Sequence, residues 1–257
     1  MKYEVIGFDL ETTSPKRGRW LQVQECEIVG YSVAVEKDKA TYVAGKPETL
    51  REMLESDAVV KVCHNTKFEY TVLRNDCGIV LRRFEDTKIL AALLGLHSTR
   101  LKDLARQELG QDPVTYEEVT QGRDMGDMEP EEIAEYALAD ASETLELWPI
   151  LRQRADGYGL LQLYYDVELP LIPVLADMER AGIGVDVGKT DSLYVDWHNE
   201  MSQAEHFIRD QFRMSTMNVH SHEQLGKALE QAGCPVLERT DVKGIMKTDE
   251  ASLKVVR

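Results

Sequence analysis

Three runs near the start of the chain alternate apolar and polar residues with a period of two: residues 2–9 (KYEVIGFD), 26–37 (CEIVGYSVAVEK) and 40–45 (ATYVAG). A period of two fits a pleated strand and no helix, so this stretch is committed to a sheet. Residues 46–56 then show helical spacing at Leu50, Met53 and Leu54, with Pro47 near the start. Residues 57–65 (DAVVKVCHN) read as a buried strand that runs straight into a helix over 66–78, closed by Gly78. Helices follow over 86–96, with Asp86 as N-cap, over 101–110, ending at Gly110, and over 129–155, with Pro130 in its first turn. Strands first and strand–helix units afterwards specify an α/β domain with a mixed sheet.

The texture changes near residue 156. Beyond it the patterns are helical, over 160–182 with Pro170 and Pro173, over 187–213 and over 221–233, joined by the short extended piece 183–186. This reading divides the chain into an α/β domain at 1–155 and a helical extension at 156–257.

Composition narrows the function. Apolar residues make up 43% of the chain, enough for a real core. No run approaches the ~20 apolar residues of a membrane span, and the first residues lack a signal-peptide pattern. The four cysteines have neither CxxC nor zinc spacing, which suits free thiols in a reducing cytoplasm. Net charge is −16, and residues 101–200 carry the whole acidic excess. A broad basic footprint for duplex binding is absent. Phosphates remain reachable where bound cations supply the positive charge.

Candidate chemistry lies in three places. In FDLETT (8–13), Asp9 and Glu11 are two apart on a strand and point the same way. In EYALADASET (135–144), Tyr136 and Asp140 are four apart on a helix and share a face, flanked by alanines that permit close packing on a sheet. In HNTKFEY (64–70), Asn65, Phe68 and Glu69 open a helix directly after a buried strand. Each has an ordinary alternative: a solvated edge pair, an exposed Asp beside a core Tyr, a capped strand-to-helix turn. It is their company, in this order, that points to one site.

Together these segments resemble the proofreading 3′–5′ exonuclease domain of the family A DNA polymerases, the DEDD nuclease superfamily in its tyrosine form. The resemblance implies a ribonuclease H-like mixed sheet flanked by helices. Residues 166–186 and 219–253 are similar to the start of that family's polymerase thumb, so the extension is expected to be thumb-like. The likeness implies that Asp9, Glu11, Glu69 and Asp140 hold two divalent cations, Mg²⁺ or Mn²⁺, about 3.5–4 Å apart. Asp9 would bridge them. Tyr136 and Glu11 would orient the attacking water. Thr12, Asn65 and Phe68 match positions that meet the terminal nucleotides of a single-stranded or frayed DNA 3′ end. Lys16, Arg17 and Arg19 either meet strand phosphates or form a solvated loop.

Two departures from the family pattern stand out. Glu69 occupies a place where the family has Asp, and the extra methylene moves the carboxylate by about 1.5 Å, comparable to the tolerance of a metal site. The palm and fingers of the polymerase are also missing, so the chain is expected to be either a fragment or one product of a split polymerase gene, the latter with a separate polymerase polypeptide as partner, in the cytoplasm of a bacterial or virus-infected bacterial cell. Two other functions stay open at this point: a scaffold domain with a weakened site, and an RNA 3′ exonuclease of the ribonuclease D kind.

Overall fold

The computed structural model describes residues 4–14, 23–234, 239 and 248. Lys16, Arg17 and Arg19, and most of residues 235–253 of the thumb-like segment, lie outside the described residues. The chain divides into two compact units, residues 1–182 and 183–257.

The first unit holds a five-stranded sheet in the order β3-β2-β1-β4-β5. Its strands are β1 (Val5–Thr12), β2 (Ile28–Glu36), β3 (Lys39–Ala44), β4 (Val60–Cys63) and β5 (Phe84–Asp86). β1 pairs antiparallel with β2 and parallel with β4, and β4 pairs parallel with β5, so the sheet is mixed as the pattern of residues implies. The helices are α1 (Arg51–Leu54), α2 (Thr66–Val72), α3 (Thr87–Leu93), α4 (Leu101–Leu104), α5 (Tyr116–Thr120), the long α6 (Pro130–Gly157), α7 (Leu161–Leu163) and α8 (Leu169–Ala181). The α/β, ribonuclease H-like expectation is borne out.

β1 is the centre of the sheet and is covered on both faces. Ile6, Phe8 and Leu10 fill one face and are buried. Gly7, Asp9 and Glu11 alternate onto the other. A Cβ placed on Gly7 would sit 2.2 Å from the carbonyl oxygen of Ala141. Glycine therefore lets the α6 backbone approach β1 directly, and this brings Asp140 beside Asp9. Within α6, Ile133, Ala137, Ala141, Leu147, Leu151 and Ala155 are fully buried. Each burial of a leucine-sized side chain contributes roughly 1.5–3 kcal/mol, so the long helix is held by packing rather than propensity.

Pattern and structure part at two places. β5 carries two acids in three residues and shows no alternation. It forms because Lys61 N–H bonds Arg83 O at 3.0 Å and because Tyr164 closes over it, accepting from Asp86 N–H at 2.6 Å. The first unit also runs past residue 156, because Tyr164, Leu169, Ile172 and Ala176 are buried in the same core cluster as Phe8 and Leu10.

The second unit contains α9 (Val187–Phe212) and α10 (His222–Gln231). Asp186 caps α9 and Ser221 caps α10 through their side chains. Arg209 ties the end of α9 to the connecting turn through Met217 O at 2.9 Å and pairs with Glu205 at 2.8 Å. His220 contacts Glu205 and His222 contacts Thr248, which suits surface and turn residues. No helix among the described residues is long and apolar enough to cross a membrane.

Candidate active site

Asp9, Glu11 and Asp140 each offer a carboxylate oxygen, and these oxygens lie within 4.8 Å of one another. The strand supplies the first two, and the Gly7 contact supplies the third. Just past them β1 loses register between Glu11 and Thr12. Such a bulge re-aims the chain at the rim of a sheet. The exit is then fastened: Thr13 N–H bonds Glu27 O at 2.9 Å, and Ser14 N–H bonds Asp124 Oδ2 at 2.8 Å.

Three acids this close disturb one another. Burial, then Glu11, Asp140 and Glu69, push the Asp9 carboxyl well above the usual range. Burial, then Asp140, raises Glu11 to about 8, with Lys102 and a hydrogen bond from Asp9 working the other way. Asp140 is raised by burial against the pull of Lys102. A phenol buried beside carboxylates resists ionisation, and Tyr136 is pushed up by burial first and by Asp140, Glu11 and Asp9 after it. Tyr136 therefore keeps its proton and shares a hydrogen bond with Asp140.

Glu69 lies on the first turn of α2, buried at 2% exposure, and outside the group of three. Its charge is felt by Asp9. Burial raises its own pKa first, and its own backbone N–H lowers it. One oxygen of Glu69, Oε2, and one of Glu11, Oε1, are buried without a hydrogen-bond partner. Buried carboxylate oxygens without donors are the expected state of ligands for hard cations, so the donor set fits Mg²⁺ or Mn²⁺.

α2 is held in place by Asp86. Its carboxylate accepts from Thr66 N–H at 2.7 Å and from Lys88 and Ile89 N–H at 2.8 and 3.0 Å, so one acid caps α2 and α3 together. That is the N-cap role read from the sequence, extended to a second helix. Asn65, just before α2, takes a left-handed conformation with φ 88°. Asn tolerates that region better than most residues. Its Oδ1 lies 3.4 Å from Lys88 Nζ. Phe68 and Thr12 are half-buried.

Lys102, Glu143 and Tyr42 complete the surroundings, and nothing in their local pattern points to the site. Lys102 Nζ bonds Asp140 and lies 3.1 Å from Glu143 Oε2. Burial works against its charge, and Asp140 and Glu143 outweigh it, so its pKa is raised. Tyr42 stands over Gly30, the β2 residue paired with Glu11, and its phenol is raised by burial and then by Glu11. A groove of about 770 Å³ leads to Asp140 and Tyr136 along His64, Asn65, Lys88, Arg100, Lys102 and Arg106.

The 3′–5′ exonuclease family matches residues 1–156. The chain belongs to this family. Its relatives among curated proteins include bacterial DNA polymerase I chains. The enzyme of Pseudomonas aeruginosa is 32% identical over 97% of this chain and 29% of its own length. That of Rhizobium leguminosarum is 30% identical over 88% of this chain and 25% of its own. The chain thus spans under a third of these relatives. Among solved structures, the polymerase domain of Pol1 from M. smegmatis superposes with a TM-score of 0.74 at 22% identity, over 99% of this chain and 42% of that one. NrnC of Brucella melitensis with bound Mg²⁺ gives 0.58 at 17% identity, over 70% and 87%. Both likenesses concern the fold.

Proposed function

We propose that this exonuclease domain is a two-metal 3′–5′ DNA exonuclease that releases nucleoside monophosphates from single-stranded or frayed 3′ ends, as the proofreading part of a family A polymerase. The observation that carries the reading is the convergence of Asp9, Glu11 and Asp140 within 4.8 Å, with Tyr136 bonded to Asp140. Asp9, Glu11, Asp140 and Glu69 would hold two Mg²⁺ or Mn²⁺ ions, which supply a more acidic water and charge neutralisation on the attacking and leaving oxygens.

The chain's own groups do the rest. Tyr136, protonated, offers its hydroxyl to orient the attacking water, and Glu11 accepts a hydrogen bond from that water. Lys88 and Arg100 line the groove, alongside Arg106 and the acids Asp103 and Glu117, and offer phosphates local positive charge. Asn65 and Phe68, at the start of α2, and Thr12, past the bulge, border the place of the terminal nucleotide, Phe68 by stacking. DNA is favoured over RNA because the curated relatives are DNA polymerases. Residues 156–257 serve as the beginning of a thumb.

The test is digestion of a 5′-labelled single strand with Mg²⁺ or Mn²⁺, comparing wild type, Asp9→Ala and an RNA of the same sequence. Stepwise shortening of the DNA that Asp9→Ala abolishes is expected. Equal rates for wild type and Asp9→Ala would remove the site, and faster RNA cleavage would reverse the substrate.

A further inference from the structure

The four carboxylates and Tyr136 leave two buried charges beside Asp140 without a role. The Lys102 side chain is 12% exposed and that of Glu143 is 5% exposed. Glu143 follows Asp140 by three residues on α6 and so shares its face. The Lys102 ammonium bonds Asp140 and Glu143 at once and lies 4.7 Å from the centre of the Tyr136 ring. Burying an ammonium and two carboxylates costs much solvation, and phosphodiester cleavage by the groups named above needs neither Lys102 nor Glu143.

Charge explains what the pair does. Without a cation, Asp9, Glu11 and Asp140 repel at ligand distance. Among the described residues, Lys102 makes the one ion pair to this group. A divalent cation that takes Asp140 competes with the ammonium for its charge, and on Oδ1 it displaces the ammonium. Glu143 already holds that ammonium, and the Tyr136 ring flanks it, so the exchange needs rotation of one side chain and no backbone movement.

Resting on the two-metal reading, we propose that Lys102 is an internal counter-ion which occupies Asp140 in the metal-free protein and retires to Glu143 when a divalent cation binds. The Lys102–Glu143 pair then sets the metal affinity of the site. Lys102 is a positioning residue, acting through Asp140 and Tyr136.

Mn²⁺ titration followed by electron paramagnetic resonance, together with thermal melts in EDTA, tests this on Lys102→Met, Glu143→Gln and the double variant. Lys102→Met should bind Mn²⁺ about tenfold tighter, since a competing charge is gone, and should melt lower in EDTA. Glu143→Gln, which keeps the side-chain volume, should bind Mn²⁺ severalfold more weakly, because the ammonium loses its resting place. In the Lys102→Met background the Glu143→Gln effect should vanish. Lys102→Arg should restore the EDTA melt. Wild-type Mn²⁺ affinity in either single variant, or simple additivity in the double variant, overturns the proposal. Should Lys102→Met fail to fold, Glu143→Gln alone still decides by its Mn²⁺ affinity. Asp9→Ala separates the two readings. If wild type binds Mn²⁺ no better than Asp9→Ala, the metal site itself falls, and this inference with it.

Discussion

At the scale of single residues, Glu69 is the member of the proposed ligand set that stands apart. Its carboxylate stands apart from the three that converge, with Oε2 buried and unpartnered. A longer arm reaching a second cation gives imperfect geometry, which Mn²⁺ tolerates better than Mg²⁺. Higher rates with Mn²⁺ are therefore expected, and Glu69→Ala should lower the rate at least tenfold with both ions. A Glu69→Ala rate equal to wild type would strike Glu69 from the ligand set. Protons report on the same cluster. Folded, metal-free Glu11 titrates near 8 against an ordinary 4.5, so between those values the folded state holds a proton the unfolded chain has lost. Stability then falls as pH rises. His64 has the opposite sign: burial, then Lys88, depresses it to about 4, and its contribution is complete above 6.5. Between pH 6.5 and 8 the raised carboxylates act alone of these two, so melts in EDTA should drop over that window. Millimolar Mg²⁺ should shrink the drop, because bound metal replaces the proton; a pH-independent melt in EDTA would contradict the clustered geometry. Asp9, Glu11, Tyr136 and Asp140 were legible because periods of two and four put each pair on one face. Lys102 was not: in LKDLARQELG it looks like any solvated helical lysine, and no local pattern links it to a residue 38 positions away.

At the scale of elements, the site depends on how closely α6 lies on β1. The Gly7 contact with the Ala141 backbone allows no added methyl, and Leu145 Cβ stands 3.0 Å from the same point. Gly7→Ala must push α6 outward. Overpacking of this kind costs about 1–3 kcal/mol, and here it also draws Asp140 away from Asp9 and Glu11. Urea unfolding should show that loss, and Mn²⁺ affinity should fall with it; a variant as stable and as tight as wild type would mean that the helix position is set elsewhere. Most of these elements could be read from sequence signals. Asp86 announced the start of α3, Pro130 that of α6, and Gly78 and Gly110 the ends of their helical segments at φ 63° and 65°. β5 could not be read, since three residues with two acids carry no period. Its burial comes from Tyr164 and from the helix ends that Asp86 caps, partners that only the fold supplies.

At the scale of the whole molecule, the question is how a chain of net charge −16 meets a polyanion. The acidic excess falls in residues 101–200, yet the groove to Tyr136 and Asp140 sets Lys88, Arg100 and Arg106, from α3, α4 and their flanks, among its acids Asp103 and Glu117. Sequence order hid this path, because Lys88 and Arg106 belong to differently charged segments and meet only in three dimensions. Cations set within a groove of an acidic surface favour a strand thin enough to enter it, and the acidic surface around them repels the broad face of a duplex. Single-stranded DNA should therefore bind more tightly than blunt duplex to the Asp9→Ala protein. Each cation that meets a phosphate contributes to the salt slope, about 0.7 per contact for a single strand. Replacing Lys88 and Arg100 together by Ala should flatten log Kd against log salt by roughly 1.4 if both meet phosphates, while the wild-type and doubly substituted proteins converge in affinity as salt rises. In turnover the same substitution should raise KM and leave kcat nearly unchanged, because the groove positions the strand without touching the bond that breaks. An unchanged salt slope would show that the strand reaches Asp140 by another route.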